Sequence, residues 1–172
     1  MCEEYLNDVR KIYPPELQRV AAHAMMLKAK GAKAELKLAV DEAWKPIAYD
    51  AENVYLRAII DVVMLEGDHL HIQDWKTGRI YDSHKDQLST YVAVAAANYP
   101  DAKDITVRAI YIDQGMVSTP TSTHAERGLK PIRLMLDGRI KNAESDEIYP
   151  TRAGKHCSYC DYSKRWEGPC QF

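Results

Sequence analysis

The stretch VYLRAIIDVVMLEGDHLHIQDWKTG, Val54 to Gly78, decides the fold. Val54 to Leu65 is β-branched and apolar, Glu66-Gly67-Asp68-His69 is turn chemistry, and Leu70 to Lys76 alternates apolar and polar residues, so the three parts make a β-hairpin. A turn centred on Gly67 and Asp68 sets the register: paired positions sum to 67 + 68 = 135, and Asp61 falls opposite Asp74, since 61 + 74 is also 135. Side chains paired in this way share a face with their β-carbons roughly 5 Å apart. Lys76 lies two residues beyond Asp74 and points to the same face. Ile60, Val62, Leu70 and Ile72 make both faces of the hairpin largely apolar, so two facing carboxylates are poorly explained as a solvated surface. Their mutual repulsion calls for a counter-charge, and a divalent cation on oxygen ligands is the natural one.

Outward from the hairpin, the chain reads as alternating helices and strands. Pro14 to Lys30 is helical, with Leu17, Val20, His23, Ala24 and Leu27 on one stripe and Gly31 at the cap position. Glu35 to Val40 alternates as a strand with Leu36, Leu38 and Val40 inward and Glu35 exposed, and Asp41 to Asn53 is connection. After the break at Thr77-Gly78-Arg79, Asp86 to Asn98 places Leu88, Tyr91, Val92 and Ala95 at helical spacing. Ile105 to Ile112 and Met116 to Thr121 are strands around an Asp113-Gln114-Gly115 turn. From His124 to Glu144 the pattern is helical, with an interruption expected from Gly128, Pro131 and Gly138. This order implies an α/β fold: a central mixed sheet flanked by helices.

Composition bounds the rest. A chain of 172 residues with 46% hydrophobic residues supports one core, so a single domain over 1–172 is expected, its residues 150–172 forming a cysteine-rich tail. Twenty-three Lys plus Arg against twenty-five Asp plus Glu give a net charge of -2, which excludes an overall basic coat and leaves any nucleic-acid contact to local patches. No apolar run reaches the roughly 18 residues of a membrane span, and the Cys-Glu-Glu start lacks a secretory pattern. A soluble, cytoplasmic protein without a membrane partner is the expectation. Eleven Tyr against one Phe leave the core to aliphatic residues and supply rings that can face bases or phosphates.

Ile59-Ile60-Asp61, then Gln73-Asp74-Trp75-Lys76-Thr77-Gly78, then Gln87 and Tyr91 together resemble the RecB-like branch of the PD-(D/E)XK nuclease superfamily. The resemblance spans about His23 to Cys170 and implies a restriction-endonuclease-like core. It also implies that Asp61 and Asp74 bind Mg²⁺ or Mn²⁺, that Lys76 assists the attacking water, and that Gln87 and Tyr91 form the Gln-x-x-x-Tyr helix of the family. His23 stands where the family often carries a metal-binding histidine, although Arg19 occupies a position four residues earlier where members often have Gly. The chemistry is consistent on its own terms. Phosphodiester cleavage needs charge neutralisation and an activated water, which a carboxylate-bound divalent ion provides. The Lys76 ammonium suits the developing charge. Gln87 and Tyr91, four apart on one helical face, are placed to contact either the DNA backbone or the Lys76 neighbourhood.

Cys157, Cys160 and Cys170 form a C-x₂-C-x₉-C cluster near the end of the chain, with Cys2 at the other end. In a cytosolic protein such a set binds metal more often than it forms disulfides, and spacing alone leaves Zn²⁺ and an iron–sulfur cluster both open. The segment Lys155 to Tyr162 resembles the C-terminal signature of RecB-like nucleases, including the AddB type and CRISPR-associated exonucleases. There, one Cys before the core and three after it hold a [4Fe-4S] cluster. The function so implied is a metal-dependent DNA nuclease, an exonuclease by resemblance, acting on single strands or free ends in a bacterial, archaeal or phage-infected cell. Protein partners would belong to recombination, repair or CRISPR adaptation. The reading from a different class is a non-catalytic nucleic-acid-binding or adaptor module that keeps the fold and a zinc or iron–sulfur site.

Overall fold

The computed structural model describes residues 6–7, 18–79, 84–114, 117–147 and 153–170. Cys2, the helix start expected at Pro14 and Pro15, and Met116 lie outside them. The chain divides into two compact units, Met1–Asp137 and Gly138–Phe172. The division falls ahead of the tail boundary expected at 150.

The first unit is built on a six-stranded sheet. In chain order the elements are α1 (Gln18–Ala29), β1 (Lys33–Val40), β2 (Pro46–Ile47), β3 (Leu56–Glu66), β4 (His69–Lys76), α2 (His84–Asn98), β5 (Asp104–Tyr111) and β6 (Val117–His124). Helix α3 (Ala125–Glu144) follows and runs on into the second unit. The strand order is β2-β1-β3-β4-β5-β6, antiparallel throughout except that β4 and β5 run parallel with α2 between them. A parallel pair needs such a crossover, and the mixed α/β sheet expected from the element order follows.

The β3–β4 hairpin has the register derived from its turn, from Val62↔Gln73 to Glu66↔His69. Gly67 takes φ +63° at the first central position, which the primed turns of tight hairpins require. The turn also sets where β5 begins. The Asp68 carbonyl accepts the Lys103 N–H at 2.8 Å, and the Asp68 carboxylate pairs with Lys103 Nζ at 2.8 Å.

Each face of the sheet carries its own apolar cluster. On one face Ile60, Val63, Leu70, Ile72, Val107 and Ala109 pack beneath Leu88, Tyr91, Val92 and Ala95 of α2. The Ala-rich surface of that helix lets its backbone lie close to the strands, and Leu129 and Ile132 of α3 join the same layer. On the other face Leu27 of α1 packs with Ala32, Ala34, Val62, Met64 and Trp75. Two expectations are corrected. Residues 41–53 contain the short edge strand β2 as well as connection. Helix α3 is continuous: Pro131 stands in its second turn with its ring exposed, so it forfeits one backbone bond without a buried clash.

The alternation of β1 and β3 breaks at one point. Ala34 and Val62 pack on the α1 face, whereas Leu36 and Ile60, two residues away in each strand, pack on the α2 face. The ladder contains Ala34↔Val62 and Leu36↔Ile60 but not Glu35↔Asp61 between them, and Glu35 takes the left-handed φ of +50°. A local twist there turns the strands over, since strict alternation would keep each set of side chains on one face.

Candidate active site

The twist falls at the first of the two expected carboxylates. Asp61 is not in the β3–β4 ladder, which stops one pair short at Val62↔Gln73. Its Oδ2 instead accepts the Trp75 backbone N–H at 2.7 Å. The carboxylate thus replaces a strand carbonyl and is held against the backbone between Asp74 and Lys76. A charged acceptor on a backbone donor is a strong and well-oriented contact.

Asp74 is 1% exposed, on the same face of β4 as Ile72. Lys76 Nζ lies 2.8 Å from its Oδ2, a charge contact outside hydrogen-bond geometry, so that this buried oxygen has no hydrogen-bond partner. The same ammonium donates to Gln87 Oε1 at 2.6 Å, and Gln87 Nε2 donates to the Tyr91 hydroxyl oxygen at 2.7 Å. Gln87 and Tyr91 are one turn apart on α2, and the packing of Leu88 and Val92 on the sheet brings their side of the helix down to Lys76. Removal from water pushes the Tyr91 phenol up to about 12, with the charge of Asp74 as the next cause and Asp61 as a lesser one. The phenol therefore keeps its proton near neutral pH, and the contacts run as a chain from Asp74 through Lys76 and Gln87 to Tyr91.

The two carboxylates, the lysine, the glutamine and the tyrosine expected from the sequence are thereby brought together, with Gln87 and Tyr91 serving the Lys76 neighbourhood. His23 is not brought into this group. Its Nε2 is 2.8 Å from Gln73 Oε1, which also accepts the Trp75 indole N–H at 3.2 Å. Gln73 and Asp74 are strand neighbours and point to opposite faces, so His23 serves the α1 side of β4. Among the described residues no three His, Cys, Asp or Glu side chains are grouped to hold one metal ion. The donors at Asp61 and Asp74 nonetheless suit a hard cation. Both are carboxylates, and one buried oxygen is answered only by a charge contact.

One contact was not anticipated. The Gly78 N–H, in the turn after β4, donates to Asp113 Oδ2 at 2.6 Å. The β4–β5 pairing has a constant offset, 104 - 69 = 35, and 78 + 35 = 113, so Asp113 continues the register beyond the paired strands. With Gly78 at φ +87°, this carboxylate ties down the turn immediately after Lys76. Only the parallel register could have revealed it.

In the second unit the cysteines sit on a loop of two short 3₁₀ turns, Lys155–Tyr159 and Lys164–Trp166. Cys157, Cys160 and Cys170 are free and half-buried. The Gly154 N–H donates to Cys157 Sγ at 3.2 Å, and the Cys170 N–H donates to the Tyr162 carbonyl at 2.9 Å. The expected metal cluster is not assembled by the described thiols, which do not group as a ligand set. The fourth expected ligand, Cys2, lies outside the described residues.

Comparison with known proteins bears on both units. The sequence model of the PD-(D/E)XK nuclease superfamily matches residues 2–165. Among solved structures, the chain is similar to the crystal structure of SSO0001, with 16% identity and a TM-score of 0.44, covering 86% of this chain and 65% of that one. The chain thus spans just under two thirds of that structure's length. No curated protein matches it. No helix among the described residues is long and apolar enough to cross a membrane.

Proposed function

Because the chain belongs to the PD-(D/E)XK nuclease superfamily, we propose that it is a DNA nuclease dependent on Mg²⁺ or Mn²⁺, with Asp61, Asp74, Lys76, Gln87 and Tyr91 as its site. The observation that carries this reading is the contact chain from buried Asp74 through Lys76 and Gln87 to Tyr91, beside the Asp61 carboxylate. Asp61 and Asp74 would hold the ion, which supplies charge neutralisation at the phosphate and a water made acidic enough to attack. Asp61 is oriented for this by the Trp75 N–H. Lys76 is kept at the carboxylates by Gln87, where its ammonium can meet negative charge developing on the phosphate. Tyr91 keeps its proton and aligns Gln87, so α2 acts as a positioning element. His23 joins the ligand set only by giving up its bond to Gln73.

The finer reading extends to an exonuclease on DNA with single strands or free ends, and to a [4Fe-4S] or Zn²⁺ site made by Cys2, Cys157, Cys160 and Cys170. The Gly154 N–H directed at the Cys157 sulfur is the kind of contact that ligating cysteines accept. Ligation would require the loop to draw its thiols together. Digestion of end-labelled and circular DNA with Mg²⁺ or Mn²⁺ tests the proposal, with Asp74→Ala as control. Metal-dependent cleavage lost in the variant is expected. Attack on labelled ends alone marks an exonuclease, and full cleavage by Asp74→Ala would remove the site assignment.

A further inference from the structure

The aromatic rings of the first unit are half-buried or buried wherever they are described, yet the cysteine loop leaves three in water. Tyr159 is 86% exposed, Tyr162 69% and Trp166 59%. Among the described residues these are the only exposed large aromatics, and they fall within eight consecutive positions. Soluble chains rarely leave a tryptophan and two tyrosines together in solvent without a use for them.

The loop that carries them is built rather than loose. Ser163, at its centre, is 2% exposed. The Ser163 N–H bonds the Cys160 carbonyl at 2.9 Å, Gly168 N–H bonds the Ser163 carbonyl at 3.0 Å, and Cys170 N–H bonds the Tyr162 carbonyl at 2.9 Å. Gly168 is required there, because a β-carbon at that position would stand 2.3 Å from the Tyr162 carbonyl carbon. The backbone closes on itself through these bonds and leaves its rings in solvent. Three exposed cations, Lys155, Lys164 and Arg165, are interleaved with the rings, and the Arg165 guanidinium stands 5.5 Å from the centre of the Trp166 ring. Aromatic faces for bases beside cations for phosphates are the two components of single-strand nucleic-acid recognition.

We propose that Tyr159, Tyr162 and Trp166, with Lys155, Lys164 and Arg165, form a stacking platform for single-stranded nucleic acid. This deepens the nuclease reading by naming the substrate class that the cysteine loop engages. The rings stack on unpaired bases, which a duplex keeps within its own stack, so the platform discriminates against intact duplex. The cations follow the backbone between bases and impart salt dependence without sequence preference.

Binding of a labelled oligothymidylate of about 20 nucleotides to the full chain, without added divalent metal, tests this against site sizes of ~4–16 nucleotides for single-strand modules. Tyr159→Ala, Tyr162→Ala and Trp166→Ala should each weaken binding roughly 5- to 150-fold, the range for loss of one base–aromatic stack. Trp166→Phe should restore most of the affinity, and each of Lys164→Ala and Arg165→Ala should lower the salt slope by about 0.7. An abasic oligonucleotide should be indifferent to the ring variants. Circular dichroism of each variant confirms that the fold is kept. Ring variants that bind as wild type would overturn the platform and leave the rings to a protein partner, whether or not the chain cleaves DNA. Ring-dependent binding by a chain inactive with every metal would keep the platform and defeat the nuclease reading.

Discussion

Replacing Lys76 by Met removes the ammonium that links Asp74 to Gln87. Lys76 Nζ is 2.8 Å from Asp74 Oδ2, with side chains 19% and 2% exposed. At an effective dielectric constant of ~20 the bare attraction at that distance is about 6 kcal/mol. Desolvation takes back part of it, and breaking a buried pair from one side costs about 3–5 kcal/mol. Lys76 keeps some contact with water, so about 3 kcal/mol is expected for Lys76→Met, equivalent to a fall in melting temperature of roughly 6–12 °C for a chain of this size. Asp74→Asn should cost only ~1–2 kcal/mol, because the ammonium left behind retains Gln87 and some solvent. The double variant should be more stable than Lys76→Met alone, since no buried charge is then left unanswered. A divalent ion should take the place of the ammonium. At about 100 times its dissociation constant Mn²⁺ returns ~2.7 kcal/mol to any form that binds it only when folded, and Lys76→Met should bind it at least as tightly as wild type. Cleavage should still fall roughly 10²-fold or more, because the ammonium acts on charge that develops in the transition state. Thermal melts with and without Mn²⁺, calorimetric titration and a nuclease assay on the same four proteins measure all of this. Lys76→Met as stable as wild type without metal, or unresponsive to Mn²⁺, would refute the account.

Tyr91→Phe should remove an absorbance transition of tyrosinate near pH 12, and with it an alkaline loss of stability. The folded state holds that proton more tightly than the unfolded chain, so the contribution is complete below pH 10 and disappears as pH rises toward 12. His23→Gln should leave Mn²⁺ affinity within about twofold and lower stability by about 1 kcal/mol, since the ring bonds Gln73. A tenfold loss of Mn²⁺ affinity would instead make it a ligand. Anaerobically purified protein should be brown and contain iron, and Cys160→Ser should lose the metal and much of the thermal stability. Stoichiometric zinc without iron would change the cluster's identity and keep the staple.

The hairpin could be read from the chain alone because its information is local. A Gly67-Asp68 turn between two apolar runs fixes the register, and the register puts Asp61 near Asp74 and sends Lys76 to the same side. The helix of Gln87 and Tyr91 was legible for the same reason, from the helical spacing of Leu88, Tyr91, Val92 and Ala95. What those side chains touch is a long-range matter. Parallel pairing of β4 with β5 carries α2 across the sheet, and only that crossover lowers Gln87, with Tyr91 bonded to it, onto Lys76. The same register, continued past the strands, brings Asp113 to Gly78. The face of β4 that His23 serves depends on where α1 packs, which helix periodicity does not specify. Pro131 suggested a break in α3, but an exposed ring costs a bond without a clash, and packing of Leu129 and Ile132 holds the helix together. Sequence determined the turn, the alternation and the residue types of the site. The tertiary structure decided the partners, because a hydrogen bond between residues 11 or 35 positions apart depends on how whole elements stack.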